Sequence, residues 1–384
     1  MAGEESSSTY PPIPPTTEDQ RLSWLRLLRS RRVGIATFNR LLAEEGSAEA
    51  ALAALPEVAK KAGVENYTPC PEGVARKEMA AGARIGARLL IRSDPSYPAA
   101  LRELPDAPPL LWALGDLALL SRPMIALVGA RNASSLGLRM ARKLAADLGA
   151  AGFVVVSGLA RGVDAAAHKA SLGTGTVAVM GGGVDVLYPS ENAVLGREIA
   201  AKGLRLSEQP IGLQPMARHF PARNRIISGL ARGLVVVEAA ARSGSLITAR
   251  CALDQGRDVL AVPGHPFDGR ASGCNLLLRD GATLVRGAED VIEALGPTHP
   301  PEPDPVAEAM QRVADLPAAP QRRSLQDTAR LHGDILARLG PSPVAEDQLV
   351  RDLGAPLRTV APVLTDMELS GQIARHPGGL IAKS

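Results

Sequence analysis

Cysteine is scarce: the chain has three, Cys70, Cys251 and Cys274, far apart and with no Cys-x-x-Cys pair. That pattern excludes a disulfide framework and a cysteine zinc site. Long apolar runs are missing too, since none approaches the ~18 residues that would span a bilayer. The opening "MAGEESSSTYPPIPPTTEDQ" is acidic and Pro/Ser/Thr-rich, without the apolar stretch of a secretory signal. It reads as a disordered tail over residues 1–20 of a cytoplasmic protein. Aromatic residues make up only 3% of the chain, four Phe, four Tyr and two Trp, so an exposed one is costly. Neither charge dominates; the formal net charge of +3 points to no partner by itself. Arginine outnumbers lysine, which suits bidentate phosphate contacts, but GC-rich coding gives the same bias. Local clustering has to decide.

Catalytic signatures are absent as well. There is no HExxH, no GxSxG and no Asp/Glu pair at metal-ligand spacing. His168, His219 and His265 lack an obvious carboxylate partner and read as structural or surface residues. No loop supplies a nucleophile, a base and a leaving-group acid together, so no enzyme activity, cofactor or metal is expected.

What is present divides the chain. Residues 21–90 carry apolar stripes at helical spacing, as in "RLSWLRLLRS". They predict a small helical domain whose "VGIATFNRLLAEEGS" resembles a helix–hairpin–helix or SAM-like unit. The stretch 93–116 is proline-rich and leads into a domain spanning residues 91–296. There, near-continuous apolar runs alternate with helical patterns: 125–128, 153–157, 176–180, 204–208, 233–238, 258–262 and 282–285. Such runs predict a mostly parallel sheet covered on both faces, a Rossmann-like doubly wound α/β fold. Residues 297–322 form a Pro-rich linker. Residues 323–384 have the helix and strand order of a winged helix, and its expected recognition helix (355–370) offers only Arg358 as a basic side chain. That makes a poor DNA reader.

Ligands bind open α/β sheets at the carboxyl ends of the strands, so those loops carry the functional question. "MIALVGARNASSLG" (124–137) looks like a nucleotide-binding strand–loop–helix. A dinucleotide loop needs a second glycine at position 131, but Arg131 stands there, and the second strand ends at Ser157-Gly158 without the acidic ribose ligand. No Gly-Lys-Ser/Thr follows, which excludes a P-loop. Gly129, Ala130 and Arg131 at a helix start suit a phosphate. The loop "SGLARGVDAAAH" (157–168) permits close backbone approach at Ser157 and Gly158. Gly181, Gly182 and Gly183 could form an anion nest of backbone N–H groups, or merely a flexible turn.

Between residues 215 and 250, six arginines (218, 223, 225, 232, 242, 250) stand against one acid, Glu238. Arg223 and Arg225 flank Asn224 at a helix start, with Arg218 and Phe220 just before. Phe220 either plugs the core or offers a stacking face to a base, as single-stranded nucleic acid requires. Arg242, Ser243, Gly244 and Ser245 form another phosphate-sized cradle. One cradle suits a mononucleotide; a row of them suits a polymer of phosphates.

Taken in order, these loops resemble the DprA/Smf family of DNA-processing proteins. The resemblance is carried by "VGAR" (128–131), "SGLARGVDAAAH" (157–168), "GGGVDVLYP" (181–189), "FPARNRIISGL" (220–230), "VVVEAAARSGSLITA" (235–249), "AVPG" (261–264) and "GCNLLLRDGA" (273–282). It implies binding of single-stranded DNA during natural transformation, loading of the RecA recombinase without catalysis, and homodimers formed through the α/β domain. It also implies that Arg131 contacts phosphate, that Phe220 stacks on a base, and that Arg223 and Asn224 line the same groove. Gly129, Gly158, Gly182 and the Ser243–Ser245 turn would add backbone and hydroxyl contacts. A lysine that some members carry before the aromatic is not evident, and Arg218 occupies that neighbourhood. Two other readings stay open: a nucleotide-acting enzyme of the lysine-decarboxylase-like phosphoribohydrolase group, for which the helix after "RSGSLIT" supplies Arg250 but no glutamate, and a protein-docking scaffold.

Overall fold

A computed structural model describes residues 17–296 and 325–384, together with Pro15 and excepting Pro341, Pro377 and Ser384. The expected linker 297–322 and most of the expected tail lie outside the described residues. The chain divides into two units, Met1–Gln311 and Arg312–Ser384.

In the larger unit, helix α1 (Glu18–Arg29) begins three residues inside the expected tail. Thr17 Oγ1 accepts the N–H of Gln20 at 3.2 Å, while Gln20 Oε1 accepts that of Thr17 at 3.1 Å. This capping box is written in the sequence as Thr17-x-x-Gln20. Three more helices follow: α2 (Ile35–Glu45), α3 (Ala48–Lys61) and α4 (Glu72–Arg84). Their core of Leu25, Phe38, Leu41 and Leu55 also takes in Ile91 and Leu110. Those two residues belong to β1 (Arg88–Ile91) and β2 (Leu110–Gly115), which flank a short α5 (Ala99–Arg102). Glu78 fixes the junction by accepting from Trp112 Nε1 at 2.8 Å and pairing with Arg29 at 2.9 Å.

The α/β pattern then runs β3 (Met124–Val128), α6 (Ser135–Ala150), β4 (Val154–Ser157), α7 (Val163–Ser171), β5 (Thr176–Val179), α8 (Ala193–Lys202) and β6 (Leu204–Ser207). It continues through α9 (His219–Leu230), β7 (Gly233–Val236), α10 (Ser245–Asp254), β8 (Asp258–Ala261), α11 (Ser272–Arg279), β9 (Thr283–Leu284) and α12 (Ala288–Leu295). The sheet order is β1-β2-β6-β5-β4-β3-β7-β8-β9. The strands from β6 to β9 pair in parallel, and β2 joins β6 antiparallel. All seven apolar runs read as strands are strands. β1 and β2 escaped that reading because prolines crowd the segment between them. Val154, Val155 and Val156 of β4 are fully buried and divide between cores on opposite faces of the sheet, the reason these strands read as unbroken apolar runs.

The smaller unit has helices Leu325–Arg338, Glu346–Leu353 and Leu357–Leu369, with strands β10 (Val344–Ala345), β11 (Ile373–His376) and β12 (Leu380–Lys383) in the order β10-β12-β11. Ile335, Leu349, Val360, Leu364 and Ile381 form its core. This is a winged helix. The side chain of Arg358 lies outside the described residues.

Candidate nucleic-acid interface

The chain leaves β3 toward β4, β5 and β6 on one side, then returns to lay β7, β8 and β9 on the other. A doubly wound sheet opens its ligand crevice at such a switch, outside the carboxyl ends of β3 and β7. Here the helix start that faces this crevice is occupied from within. The N–H of Ala130 donates to the carbonyl of Glu238 at 2.7 Å, and Ala130 in turn accepts from Val163 N–H at 3.2 Å. The buried Glu238 carboxylate reaches the start of α6, accepting from Ser134 Oγ at 2.5 Å and from Ser134 N–H at 3.0 Å. Ser134 Oγ itself caps the helix by accepting from Gly137 N–H at 2.9 Å. A Cβ on Gly137 would lie 2.4 Å from Glu238 Oε2. The protein's own carboxylate thus fills the anion position that a helix N-terminus offers. The helix start expected to take a phosphate is therefore occupied by Glu238, and Arg131 lies outside it.

Arg131 is exposed, and its Cζ sits 5.4 Å from the centre of the Phe220 ring. Phe220, half-buried in the first turn of α9, lies 5.7 Å from the ring of the half-exposed Tyr188. An arginine over an aromatic face is a favourable pairing, and here it leaves a cation and two rings side by side at the sheet edge. Arg218 and Arg242 are exposed nearby in sequence to Phe220 and to the β7 end, and Asn224 is half-exposed. Beyond β7, Ser243 Oγ and Ser245 Oγ lie 2.7 Å apart, with Gly244 exposed between them.

Several expected contact residues are committed internally instead. Arg223 is buried, and its Nη1 donates to the carbonyls of Gly158 (2.7 Å) and Val179. Burial pushes its pKa down to about 10, with the carboxylate of Asp164 opposing that shift. Asp164, also buried, is pushed up by desolvation while the Arg223 charge and the N–H groups of Ala160 and Gly158 pull it down. Arg223 is a brace joining the ends of β4 and β5, not a groove lining. Arg225 pairs with Glu208 and donates to the Asp106 carbonyl at 2.8 Å, so it too faces its own protein. Ser157 Oγ donates to Leu127 O at 2.6 Å, and Gly158 N–H donates to Asp164 at 3.1 Å. A Cβ on Gly158 would meet the Arg223 guanidinium at 2.2 Å, which accounts for that glycine by packing.

The triple glycine is likewise a floor, not an open nest. Gly181 and Gly182 are buried, facing Phe220 and Pro215, and Gly183 N–H donates to Leu213 O at 2.8 Å. His168 is fully buried: Nε2 accepts from Leu159 N–H at 3.3 Å, which leaves Nδ1 to donate to Thr176 Oγ1 at 2.7 Å. Desolvation lowers its pKa to about 3. Among the described residues, no group of three or more His, Cys, Asp or Glu is placed to hold a metal ion. The sequence reading missed Glu238 as the internal cap and gave Tyr188 no role. Neither has a local signature, because each acts through a residue about 30 or more positions away.

Residues 88–296 match the family described as DNA recombination-mediator protein A, residues 18–81 the DprA-like N-terminal HHH domain, and residues 318–379 the DprA winged helix domain. The chain is 38% identical over 292 residues to Protein Smf of Escherichia coli, covering 74% of each. It is 49% identical over 201 residues to DNA processing protein DprA of Streptococcus pneumoniae, 52% of this chain and 71% of that one. The X-ray structure of the S. pneumoniae protein superposes with a TM-score of 0.58 at 38% identity, covering 72% of this chain and 96% of that chain. A structure of DNA processing protein A from Helicobacter pylori, described for its single-stranded DNA binding mode, gives 0.51 at 30% identity over 56% of this chain and 97% of that one.

Proposed function

Because the chain belongs to the DprA/Smf family of DNA recombination mediators, we propose that the carboxyl edge of its sheet binds single-stranded DNA and presents it to RecA. The observation that carries this reading is the Arg131 guanidinium over the Phe220 ring, with Tyr188 alongside. A single strand offers what this arrangement recognises: a phosphate for the cation and an unstacked base for the rings. A duplex hides its bases, so single strands bind in preference. Arg218, Arg242 and the Ser243–Ser245 turn extend the track for further phosphates, and Gly129 and Asn224 line it. Binding needs no turnover, and the protein acts as a homodimer through its α/β domain.

A mobility-shift titration with single- and double-stranded oligonucleotides at two salt concentrations, with and without RecA, tests the reading. Tighter binding to single strands, weakening with salt as phosphate contacts release counterions, supports it. Equal affinity for duplex, or no dependence on salt, overturns it. Measurable release of base from nucleoside monophosphates would revive the phosphoribohydrolase alternative; Glu238, the one acid between residues 215 and 250, is held against Ser134.

A further inference from the structure

Five of the chain's few aromatic rings, Trp24, Phe38, Tyr97, Trp112 and Phe153, are buried. Tyr67 is half-buried, with its hydroxyl donating to Arg31 O at 2.5 Å. The remaining rings among the described residues stand at the carboxyl ends of the sheet: Tyr188 and Phe267 in loops and Phe220 in the first turn of α9. Phe267 is 95% exposed. A phenylalanine left in water forgoes the free energy of burying its ring, and nothing in the α/β core accounts for this one.

Its loop, between β8 and α11, is tightly held. Gly264 N–H donates to Asn275 Oδ1 at 3.2 Å, and Asn275 Nδ2 donates back to Gly264 O at 3.0 Å. Phe267 N–H donates to His265 Nδ1 at 3.3 Å, and the two rings lie 5.6 Å apart. Asp268 N–H donates to His265 O at 2.9 Å, and the Asp268 carboxylate takes two bonds from Arg270 at 3.1 Å. The backbone that carries the ring is therefore held in place at the β8 end of the sheet.

That place adjoins the groove. Ala241 N–H donates to Ser272 Oγ at 3.0 Å and Gly273 N–H to Ala239 O at 2.8 Å, stitching the start of α11 to the loop that carries Arg242 and Ser243. A cavity of about 410 Å³ is lined by Ser134 and Glu238 on one side and by His265 and Asp268 on the other, so the loop also borders the turn after Arg131. From β5 to β8 there are four interstrand steps, roughly 19 Å at about 4.8 Å each. One base cannot span that distance; a strand of several nucleotides can.

We propose that Phe267 is a second base-stacking position, at the β8 end of the track that begins at Phe220, and that its occupant is a nucleobase of the same single strand. This rests on the single-stranded DNA reading above. The test is fluorescence anisotropy of the full chain with oligothymidylates of increasing length. Phe267→Ala should weaken binding about tenfold for oligomers long enough to reach the β8 loop, and leave those of about four nucleotides unchanged. Phe267→Trp should restore the long-oligomer affinity. Arg131→Ala should weaken binding at every length. If Arg131→Ala weakens binding while Phe267→Ala matches the parent protein at all lengths, the second position is overturned and the groove stands. If the parent protein binds no oligomer, the groove itself fails. Sedimentation of the free proteins closes the remaining route: a change of mass in Phe267→Ala would assign the ring to a contact between copies of this chain and overturn the proposal.

Discussion

Arg131 and Arg223 carry the same charge and read alike in the sequence, each near a helix start, yet the fold gives them opposite work. Arg131 is exposed and lies over an aromatic ring. Arg223 is buried and holds two carbonyls. Arg131→Ala is expected to weaken oligonucleotide binding with the melting temperature unchanged. Arg223→Ala is expected to destabilise the protein by about 3 kcal/mol, because Asp164 is left buried without its counter-charge; thermal unfolding and binding measured on both variants separate the roles. His168 gives a prediction for pH. Its pKa is about 3 in the fold against 6.5 for an unperturbed histidine, so between those values the unfolded chain binds a proton that the folded one does not. Stability therefore falls as pH drops from about 6.5 toward 3, by up to roughly 1.4 kcal/mol per unit, and this term is flat above that window. Melting temperatures at pH 7, 6 and 5 should decline in that order, and His168→Gln should reduce the slope.

At the scale of elements, the start of α6 shows what fills the helix N-terminus of a strand–loop–helix that looks made for a dinucleotide. Glu238 comes from the end of β7 and occupies the helix N-terminus through Ser134. Pairing of β3 with β7 brings it there. Ser134→Ala removes the cap and the carboxylate's shortest hydrogen bond together, and a loss of about 2 kcal/mol is expected in chemical denaturation. Gly137→Ala should cost at least as much, since its methyl would meet Glu238 Oε2. A Gly137→Ala protein as stable as the parent would show that the carboxylate does not hold this position.

For the whole molecule, the separation of cores is the guide. Among the described residues, the cores of the larger unit contain none beyond Leu295, and that of the winged helix contains none before Leu331. A chain ending at residue 296 should keep its cooperative unfolding transition and its oligonucleotide affinity to within about twofold. A large loss of affinity would mean that the winged helix touches DNA. The N-terminal helices behave differently. They share a core with β1 and β2, so removal of residues 1–84 should expose Leu110 and Trp112 and yield aggregation-prone protein.

Six buried strands and the edge strand β9, the helical N-terminal region, the winged helix and the family were legible in the sequence, because burial on both faces imposes unbroken apolar runs on the inner strands and strand-end loops lie in fixed order along the chain. Arg131 and Phe220, which the fold brings together, stood out as a cation where a cofactor loop needs glycine and a rare aromatic in a basic stretch. Which arginines face outward was not legible. Arg223, Arg225 and Arg242 have similar neighbours in sequence, and only the packing of α9 against β4 and β5 buries the first and ties the second to Glu208. The capping of α6 by Glu238 was equally invisible, since it depends on two strands more than 100 residues apart lying side by side. Sequence periodicity reports which face of an element is apolar; the partner of a buried charge is set by the order of strands in the sheet.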